Sequence, residues 1–547
     1  MSDDAAPAPR SNVTRRNLLA AGLASGFAMA STDRIAPAAE METQTAFELD
    51  EATIGDLQDR MKQSKSSSRK LVELYLARIE AIDRNGPTLK SVIEINPDAL
   101  AIADELDRER RAKGPRGPMH GIPVLIKDNI ATADKMATTA GSLAMVGSQP
   151  PRDAGVVARL REAGAVILGK TNLSEWANAR SSSSTSGWSG RGGQTKNPYA
   201  LDRNPCGSSS GSGVAVAANL CAVAVGTETD GSITAPANVN GIVGMKPTVG
   251  LVSRAGIIPI SASQDTAGPM TRTVRDAAIL LSALAGVDPA DQATADAKGH
   301  IEADYTTFLD AEGLKGAKLG VARNYFGFHD GVDRLANTAL DLLKKRGASL
   351  IETSDLPKAS AFEASEVAVF QYEMKAGINE YLARYGRGAP VQSLKDVIAY
   401  NEKHAQKEMP FFGQDSLVKT EARGSLNSYE YIESLAKCRR IARTEGLDAV
   451  FDKLKVDAIM APTMGPPCPI DLVLGDHWLG GDLISIAAVA GYPHITVPMG
   501  FLFGLPVGLS FVGRAWSEAT LLKLAYAYEQ ASKVRKPPRF LPTVSYS

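Results

Sequence analysis

Apolar residues along this chain follow two spacings that alternate with each other. Residues 66–84 read SSSRKLVELYLARIEAIDR, in which the apolar positions recur as on one face of a helix and follow serines suited to cap it: Leu71, Leu74, Tyr75, Ile79 and Ile82. Elsewhere the apolar residues form short continuous runs, as in HGIPVLIKDNI. A run of this length is typical of a strand buried on both faces.

The alternation of strand and helix patterns continues through the chain. VVARLREAGA predicts a helix and AVILG a strand. In the region 316–354, AKLGVA and ASLIET predict strands on either side of a helix over VDRLANTALDLLKKRGA, with Leu335, Leu342 and Leu343 facing inward. Such alternation favours an α/β fold with a sheet covered by helices on both faces.

The second half of the chain is less regular. Residues 287–315 predict loops, and residues 358–450 predict mostly helices. ITVPMG and VGLSFVG then predict two strands before a closing helix near Ser517 to Lys533. The chain contains no internal repeats.

Composition narrows the class of protein. The 547 residues are 44% hydrophobic and 22% charged, with 60 basic against 61 acidic groups and a formal charge of -1, as in an ordinary soluble globular protein. No basic block suggests a nucleic-acid partner, and no long apolar run beyond the N-terminus suggests a membrane span. The cysteines, Cys206, Cys221, Cys438 and Cys468, form no CxxC pair. They predict buried thiols and leave one disulfide possible.

The N-terminus carries a pattern of its own. Arg15 and Arg16 precede a weakly apolar stretch, Leu18 to Ala30, which ends in Ala28-Met29-Ala30. This resembles a twin-arginine export signal, with a disordered or membrane-touching tail as the alternative. We therefore predict a leader over residues 1–38, a domain over 39–547, and a periplasmic or secreted location in a bacterium.

Two short motifs match well-known patterns without the required context. GAVILGKT, residues 164–171, fits the phosphate-loop pattern, but its middle residues predict a buried strand and the segment before it predicts a helix. GSSSG, residues 207–211, fits the nucleophile-elbow pattern of α/β-hydrolases. The segment before it, YALDRNPC, is polar and contains proline, whereas an elbow follows a buried strand. Neither motif predicts the function its pattern names.

Several longer motifs occur together in order. These are GPMHGIPVLIKDNI, AGAVILGKTNLSEWA, PCGSSSGSGVAVAA, TETDGSITAPANVNGIVGMKPTVG and GYPHITVPMG. Over about residues 48 to 540 the chain resembles the amidase signature family, and details such as CGSSSGS and ETDGSI are similar to its bacterial peptide amidase branch. The resemblance implies a single large α/β domain with a mixed, twisted central sheet. It places the signature core at about 120–275 and a helical substrate-side region at about 358–450.

The resemblance also implies the site residues. Lys127 is the base, Ser208 a relay on a cis peptide bond after Gly207, and Ser232 the nucleophile. An oxyanion hole is implied at the main-chain N–H groups of Thr229, Asp230, Gly231 and Ser232. The usual GGSSGGS of the family is altered by Cys206 and Ser210, which keep side chains small and leave the predicted chemistry unchanged.

The residues themselves support this role for Lys127. It follows Val124, Leu125 and Ile126, so burial could lower its pKa from about 10.4 by roughly 3 to 5 and leave a neutral amine. A lysine that reaches water from a strand end, or that pairs with a carboxylate, is the alternative. Asp128 is an unsuitable partner because neighbours on a strand point to opposite faces.

The sequence thus predicts an amidase that hydrolyses a carboxamide through an acyl-enzyme, releasing ammonia or an amine. The substrate could be a peptide C-terminal amide, or an aryl acylamide, fatty amide or carbamate. A periplasmic solute-binding protein without catalysis is the alternative from another class. The six histidines show no paired metal-ligand spacing, so we predict no metal, no organic cofactor and no nucleic-acid partner. The oligomeric state is left open.

Overall fold

An eleven-stranded sheet runs through residues 47–545, the part of the chain that the computed structural model describes. Its strand order is β1-β3-β2-β6-β8-β7-β12-β13-β11-β9-β10. A separate two-stranded pair is formed by β4 and β5. The strands are β1 (Val92–Ile95), β2 (Pro123–Lys127), β3 (Val166–Thr171), β4 (Trp188–Ser189), β5 (Gly193–Gln194), β6 (Val223–Glu228), β7 (Val243–Lys246), β8 (Thr266–Thr271), β9 (Lys318–Ala322), β10 (Ser349–Thr353), β11 (Ala458–Pro462), β12 (His494–Leu502) and β13 (Leu505–Val512).

The sheet is mixed. Strand β2 pairs in parallel with β3 and β6, and β9 pairs in parallel with β10 and β11, whereas β8, β7, β12 and β13 make antiparallel pairs. Every residue of β2, β3, β6 and β8 is buried. Helices must therefore cover both faces of the sheet, because a strand exposed on one face would alternate. The predicted α/β class with a central mixed sheet is confirmed.

Helices make up most of the remaining regular structure within residues 47–545. They are α1 (Ile54–Lys62), α2 (Ser68–Arg78), α3 (Ala99–Lys113), α4 (Gly155–Glu162), α5 (Ser210–Ala217), α6 (Thr234–Val239), α7 (Val274–Leu284), α8 (Asp330–Lys345), α9 (Glu363–Tyr385), α10 (Leu394–Lys403), α11 (Ala405–Glu408), α12 (Asp415–Glu421), α13 (Tyr429–Arg439), α14 (Asp448–Leu454), α15 (Asp482–Ala490) and α16 (Glu518–Ser532). None of them is long and apolar enough to cross a membrane.

The predicted elements correspond to these helices and strands. The helix over 66–84 is α2, extended by a π-helical turn over Ile79–Arg84. The phosphate-loop look-alike ends in β3, whose residues are all buried, as the sequence predicts. In α8, Leu343 is buried, whereas Leu335 and Leu342 are only half-buried. The buried face of α8 instead uses Val332, Ala336, Ala339 and Leu340.

The topology brings three short segments together at the carboxyl ends of neighbouring parallel strands. Strands β2 and β6 are parallel neighbours and end at Lys127 and Glu228. The turn that follows β6 leads into α6, and residues 207–209 lead into α5. Carboxyl ends of parallel strands are where α/β proteins place binding sites.

The predicted leader over residues 1–38 lies outside the described residues, and the boundary at residue 39 stays a prediction.

Candidate active site

Lys127 ends β2 inside the protein, with none of its surface exposed. Its Nζ lies 2.7 Å from Ser208 Oγ, 2.9 Å from Thr227 Oγ1 and 3.2 Å from the Thr227 carbonyl oxygen. Burial lowers the pKa of Lys127 to about 7, although the charges of Asp265 and Glu228 oppose this. A neutral amine is therefore accessible near neutral pH.

Ser208 occupies a crowded position beside Lys127. The peptide bond between Gly207 and Ser208 is cis, as the family resemblance implies. A Cβ on Gly207 would lie 2.1 Å from Ser174 Oγ, so only glycine fits there. The Ser208 carbonyl accepts a hydrogen bond from the Ser174 N–H at 3.1 Å. The glycine-serine segment is thus tightly packed and does not serve as a flexible linker.

Ser232 lies in the turn between β6 and α6. Its carbonyl accepts a hydrogen bond from the Ser209 N–H at 3.1 Å, which ties the turn that holds Ser232 to the segment that holds Ser208. Its side chain is 8% exposed and lines the same cleft as Ser208. The structure shows no hydrogen bond between the two hydroxyls, and such contacts often close only when substrate binds.

The turn from Thr229 to Ser232 is held from both sides. The Glu228 carboxylate accepts the N–H groups of Ile233 at 2.8 Å and Thr234 at 2.9 Å, at the start of α6. Thr229 Oγ1 donates to Asp265 at 2.5 Å. Within the described residues, the N–H groups of Asp230, Gly231 and Ser232 donate to no protein acceptor. They are left available for a ligand oxygen.

The two aspartates next to the predicted site residues have other partners. Asp128 contacts Thr139 Oγ1 and the Gly141 N–H, and lies 3.6 Å from Arg191. It therefore does not pair with Lys127, as the sequence predicts. Asp230 is partly buried on the cleft wall, where burial raises the pKa of its carboxyl to about 7 and a hydrogen bond from Ser485 acts in the opposite direction.

The cleft at this site has a volume of about 1010 Å³. Ser208 and the turn 229–232 form part of its wall. The rest includes aromatic and apolar side chains, together with a few charged ones: Tyr325, Phe326, Phe328, Val367, Phe370, Met374, Met464, Trp478, Ile484, Lys358, Glu363, Lys419 and Asp482. Several of these come from α9 and α12, in the helical region predicted at 358–450.

The loop 177–186, which lines the cleft at Ser181, Ser182 and Ser186, is anchored by a buried ion cluster. Arg180 donates to Glu175 at 2.9 Å, and its Nη1 lies 4.0 Å from Glu408 Oε2, with all three side chains at most 1% exposed. The guanidinium contacts the rings of Trp188 and Phe412, at 4.8 and 4.2 Å from their centroids. Burial raises the pKa of Glu175 well above its usual value. The cluster joins the loop to the helical region.

Two residues around Lys127 were not identified from the sequence. Thr227 accepts from Lys127, and Asn129 Nδ2 donates to Thr227 Oγ1 at 3.0 Å. Both stand inside motifs already recognised, IKDN and GTETDGS. Their proximity to the lysine follows from the parallel pairing of β2 with β6, which those motifs do not specify.

The described residues hold neither a metal-ligand cluster nor a disulfide. Among residues 47–545, no group of three His, Cys, Asp or Glu side chains is arranged to hold a metal ion. All four cysteines are buried and unpaired, as the sequence predicts. Cys206 borders the cleft, where burial raises the pKa of its thiol well above the usual value.

Known proteins resemble this chain over most of its length. A family model described as Amidase matches residues 70–522. An Arabidopsis thaliana protein described as a probable amidase is 44% identical over 516 residues, covering 93% of this chain and 95% of its own. The solved peptide amidase of Stenotrophomonas maltophilia is 52% identical with a TM-score of 0.86, covering 90% and 99%. A solved amidase family protein from Bacillus anthracis is 38% identical with a TM-score of 0.81, covering 89% and 92%.

Proposed function

We propose that this chain cleaves primary carboxamides, and specifically the C-terminal amide of peptides, through an acyl-enzyme. The chain belongs to the amidase family and is an amide-hydrolysing enzyme. Ser232 is the nucleophile, Ser208 the proton relay and Lys127 the base. Family membership favours an enzyme over the solute-binding alternative.

In acylation, Ser232 Oγ attacks the amide carbonyl carbon. Its proton passes to Ser208, whose own proton passes to Lys127. The N–H groups of Thr229, Asp230, Gly231 and Ser232 donate hydrogen bonds to the developing oxyanion. The proton then returns to the nitrogen of the leaving group, the C–N bond breaks and ammonia departs.

The hydrogen bonding of Lys127 is the observation that carries this proposal. A neutral amine has two N–H groups and one lone pair. The Thr227 carbonyl and hydroxyl oxygens lie where they can accept both N–H groups, which leaves the lone pair to accept the proton of Ser208 at 2.7 Å. A base poised toward a serine hydroxyl in a water-excluded site is what nucleophile activation requires.

The nucleophile can be tested with a serine-directed fluorophosphonate. We expect covalent labelling of the wild type and none of Ser232→Ala, because the reagent bonds to the activated hydroxyl. Ser208→Ala should label on the order of 10² times more slowly, since the relay to Lys127 is broken. Mass spectrometry of the labelled peptide identifies the site. Labelling of Ser232→Ala at the wild-type rate would show that another residue is the nucleophile.

The pH dependence of kcat/KM should report the pKa of Lys127. The protonated ammonium cannot accept a proton, so activity should be lost below pH 7 and rise as pH increases through about 7, the pKa of this amine. Initial rates from pH 5 to 9 with a single peptide amide measure this limb. A rate independent of pH across this range would contradict a lysine base.

The peptide-amide substrate is supported by the cleft and by the similarity to peptide amidase. A cleft of about 1010 Å³ with apolar walls and scattered charges has room for several residues of a peptide. A panel of amidated peptides, anilides, aliphatic amides and carbamates should show the highest kcat/KM for the amidated peptides. Release of ammonia by the isolated chain measures this hydrolysis directly.

The location outside the cytoplasm belongs to the proposal as well and is supported by the Arg15-Arg16 pattern. Changing both arginines to lysine should retain the enzyme in the cytoplasm, because the twin-arginine pair is the feature the export machinery reads. Cell fractionation followed by an amidase assay measures this. Equal periplasmic activity of the double variant and the wild type would contradict twin-arginine export.

A further inference from the structure

A second, smaller cavity lies beside the proposed active site. It has a volume of about 200 Å³, and Ala177, Thr229 and Ile260 line both this cavity and the large cleft. The two spaces therefore share a wall that includes a residue of the oxyanion turn. The acylation step described above makes no use of the smaller space.

The cavity extends from solvent to the residues around the base. At one end it is lined by Thr227 and Asn129, of which Thr227 holds the amine of Lys127 and Asn129 holds Thr227. Elsewhere it is lined by Glu380 and Arg384, whose side chains are 62% and 60% exposed. A small molecule could thus approach the base without entering the large cleft.

Two residues of the cavity lining carry a buried polar atom that has no protein partner. Asn129 Oδ1 and the Tyr381 hydroxyl are buried without a hydrogen-bond partner, and both residues line the cavity. Leaving such an atom unpaired costs about 1 to 3 kcal/mol, so native proteins pair nearly all of them with protein or with ordered water. At about 30 Å³ of liquid volume per molecule, the cavity has room for several waters.

We propose that this cavity, here termed the water cavity, supplies the water that deacylates the enzyme; the proposal rests on the proposed function. After ammonia leaves, the acyl group occupies the large cleft. Water entering past Thr229 reaches the ester carbonyl without passing the acyl chain. Its oxygen adds to the carbonyl carbon while its proton passes through Ser208 to Lys127. The proton then returns to Ser232 Oγ as the C–O bond breaks and the carboxylic acid departs.

The test fills the water cavity and compares two acyl acceptors. Ala255→Leu adds volume to its lining, and Ala290→Trp adds bulk at an exposed lining position. With a peptide amide as substrate and benzylamine added as a competing acceptor, water enters through the cavity and benzylamine, which is bulkier, through the cleft. We expect the ratio of benzylamide to acid product to rise at least about tenfold in both variants. The rate of ammonia release in the first turnover should be unchanged. Because only deacylation slows, this first release should appear as a burst that is followed by a slower steady state.

A matched control and two contrary outcomes complete the experiment. Ala101→Leu, at an exposed position of α3, should change neither the burst nor the product ratio. If both filled variants keep the wild-type ratio, or slow acylation and deacylation equally, the water does not come through this cavity. Failure of the proposed function is distinguishable, because Ser232→Ala would then keep its activity.

Discussion

Replacing Lys127 with methionine should lower kcat/KM on the order of 10³- to 10⁴-fold, the upper range for loss of a general base. The methionine side chain has a similar length and no basic nitrogen, so Ser208 would lose its proton acceptor while the buried space stays filled. The loss should appear in kcat with little change in KM, since Lys127 is fully buried behind Ser208 and does not line the cleft. Steady-state kinetics on an amidated peptide measure both constants.

Lys127→Arg provides the matched control for charge. A guanidinium has a pKa above about 12 and stays protonated, so this variant should be as inactive as Lys127→Met at every pH. Thermal melting should show that Lys127→Met folds but is about 1 to 3 kcal/mol less stable than the wild type, because the Thr227 oxygens lose the N–H groups of the amine. Activity of Lys127→Met within about tenfold of the wild type would rule out the lysine as the base.

Replacing Arg180 with methionine should destabilise the protein by about 3 to 5 kcal/mol, the usual effect of breaking a buried ion pair. Glu175 and Glu408 would be left in a site where all three side chains are at most 1% exposed. The rings of Trp188 and Phe412 would also lose their contacts with the guanidinium. Urea denaturation monitored by fluorescence should show a transition at markedly lower concentration.

Arg440→Met serves as the control for this stability prediction. Arg440 pairs with Glu445 on the surface, where the two side chains are 55% and 53% exposed. Exposed pairs contribute about 0 to 1 kcal/mol, so this variant should unfold near the wild-type urea concentration. If the two variants unfold together, the buried cluster does not hold the cleft loop in place.

Much of the fold could be predicted from local patterns. Strands β2, β3, β9, β12 and β13 follow from short apolar runs, and α2, α8 and α16 from helical spacing. Leu335 and Leu342 show the limit of this reasoning: both fit the apolar face of α8, yet they are half-buried at its edge. Periodicity finds the apolar face of a helix, but the neighbouring elements decide how much of that face is covered.

The candidate site was predicted only in part, because its motifs identify residues and not their neighbours. Lys127, Ser208 and Ser232 stand in recognisable motifs, and the cis bond at Gly207 was implied by the same resemblance. Thr227 and Asn129 stand in those motifs as well, but nothing in the sequence shows that they contact the base. The ion cluster at Arg180 was missed because Glu408 lies more than two hundred residues away along the chain.

By itself the sequence determined the class of fold, the family and the residue types at the reacting centre, since these depend on spacing and on short motifs. Only the tertiary structure decided the partners of the Lys127 amine, the anchoring of the cleft loop and the presence of a second cavity. Those properties depend on burial and on contacts between distant segments. Burial and long-range contacts arise from the packing of the whole chain and are not encoded at any one position.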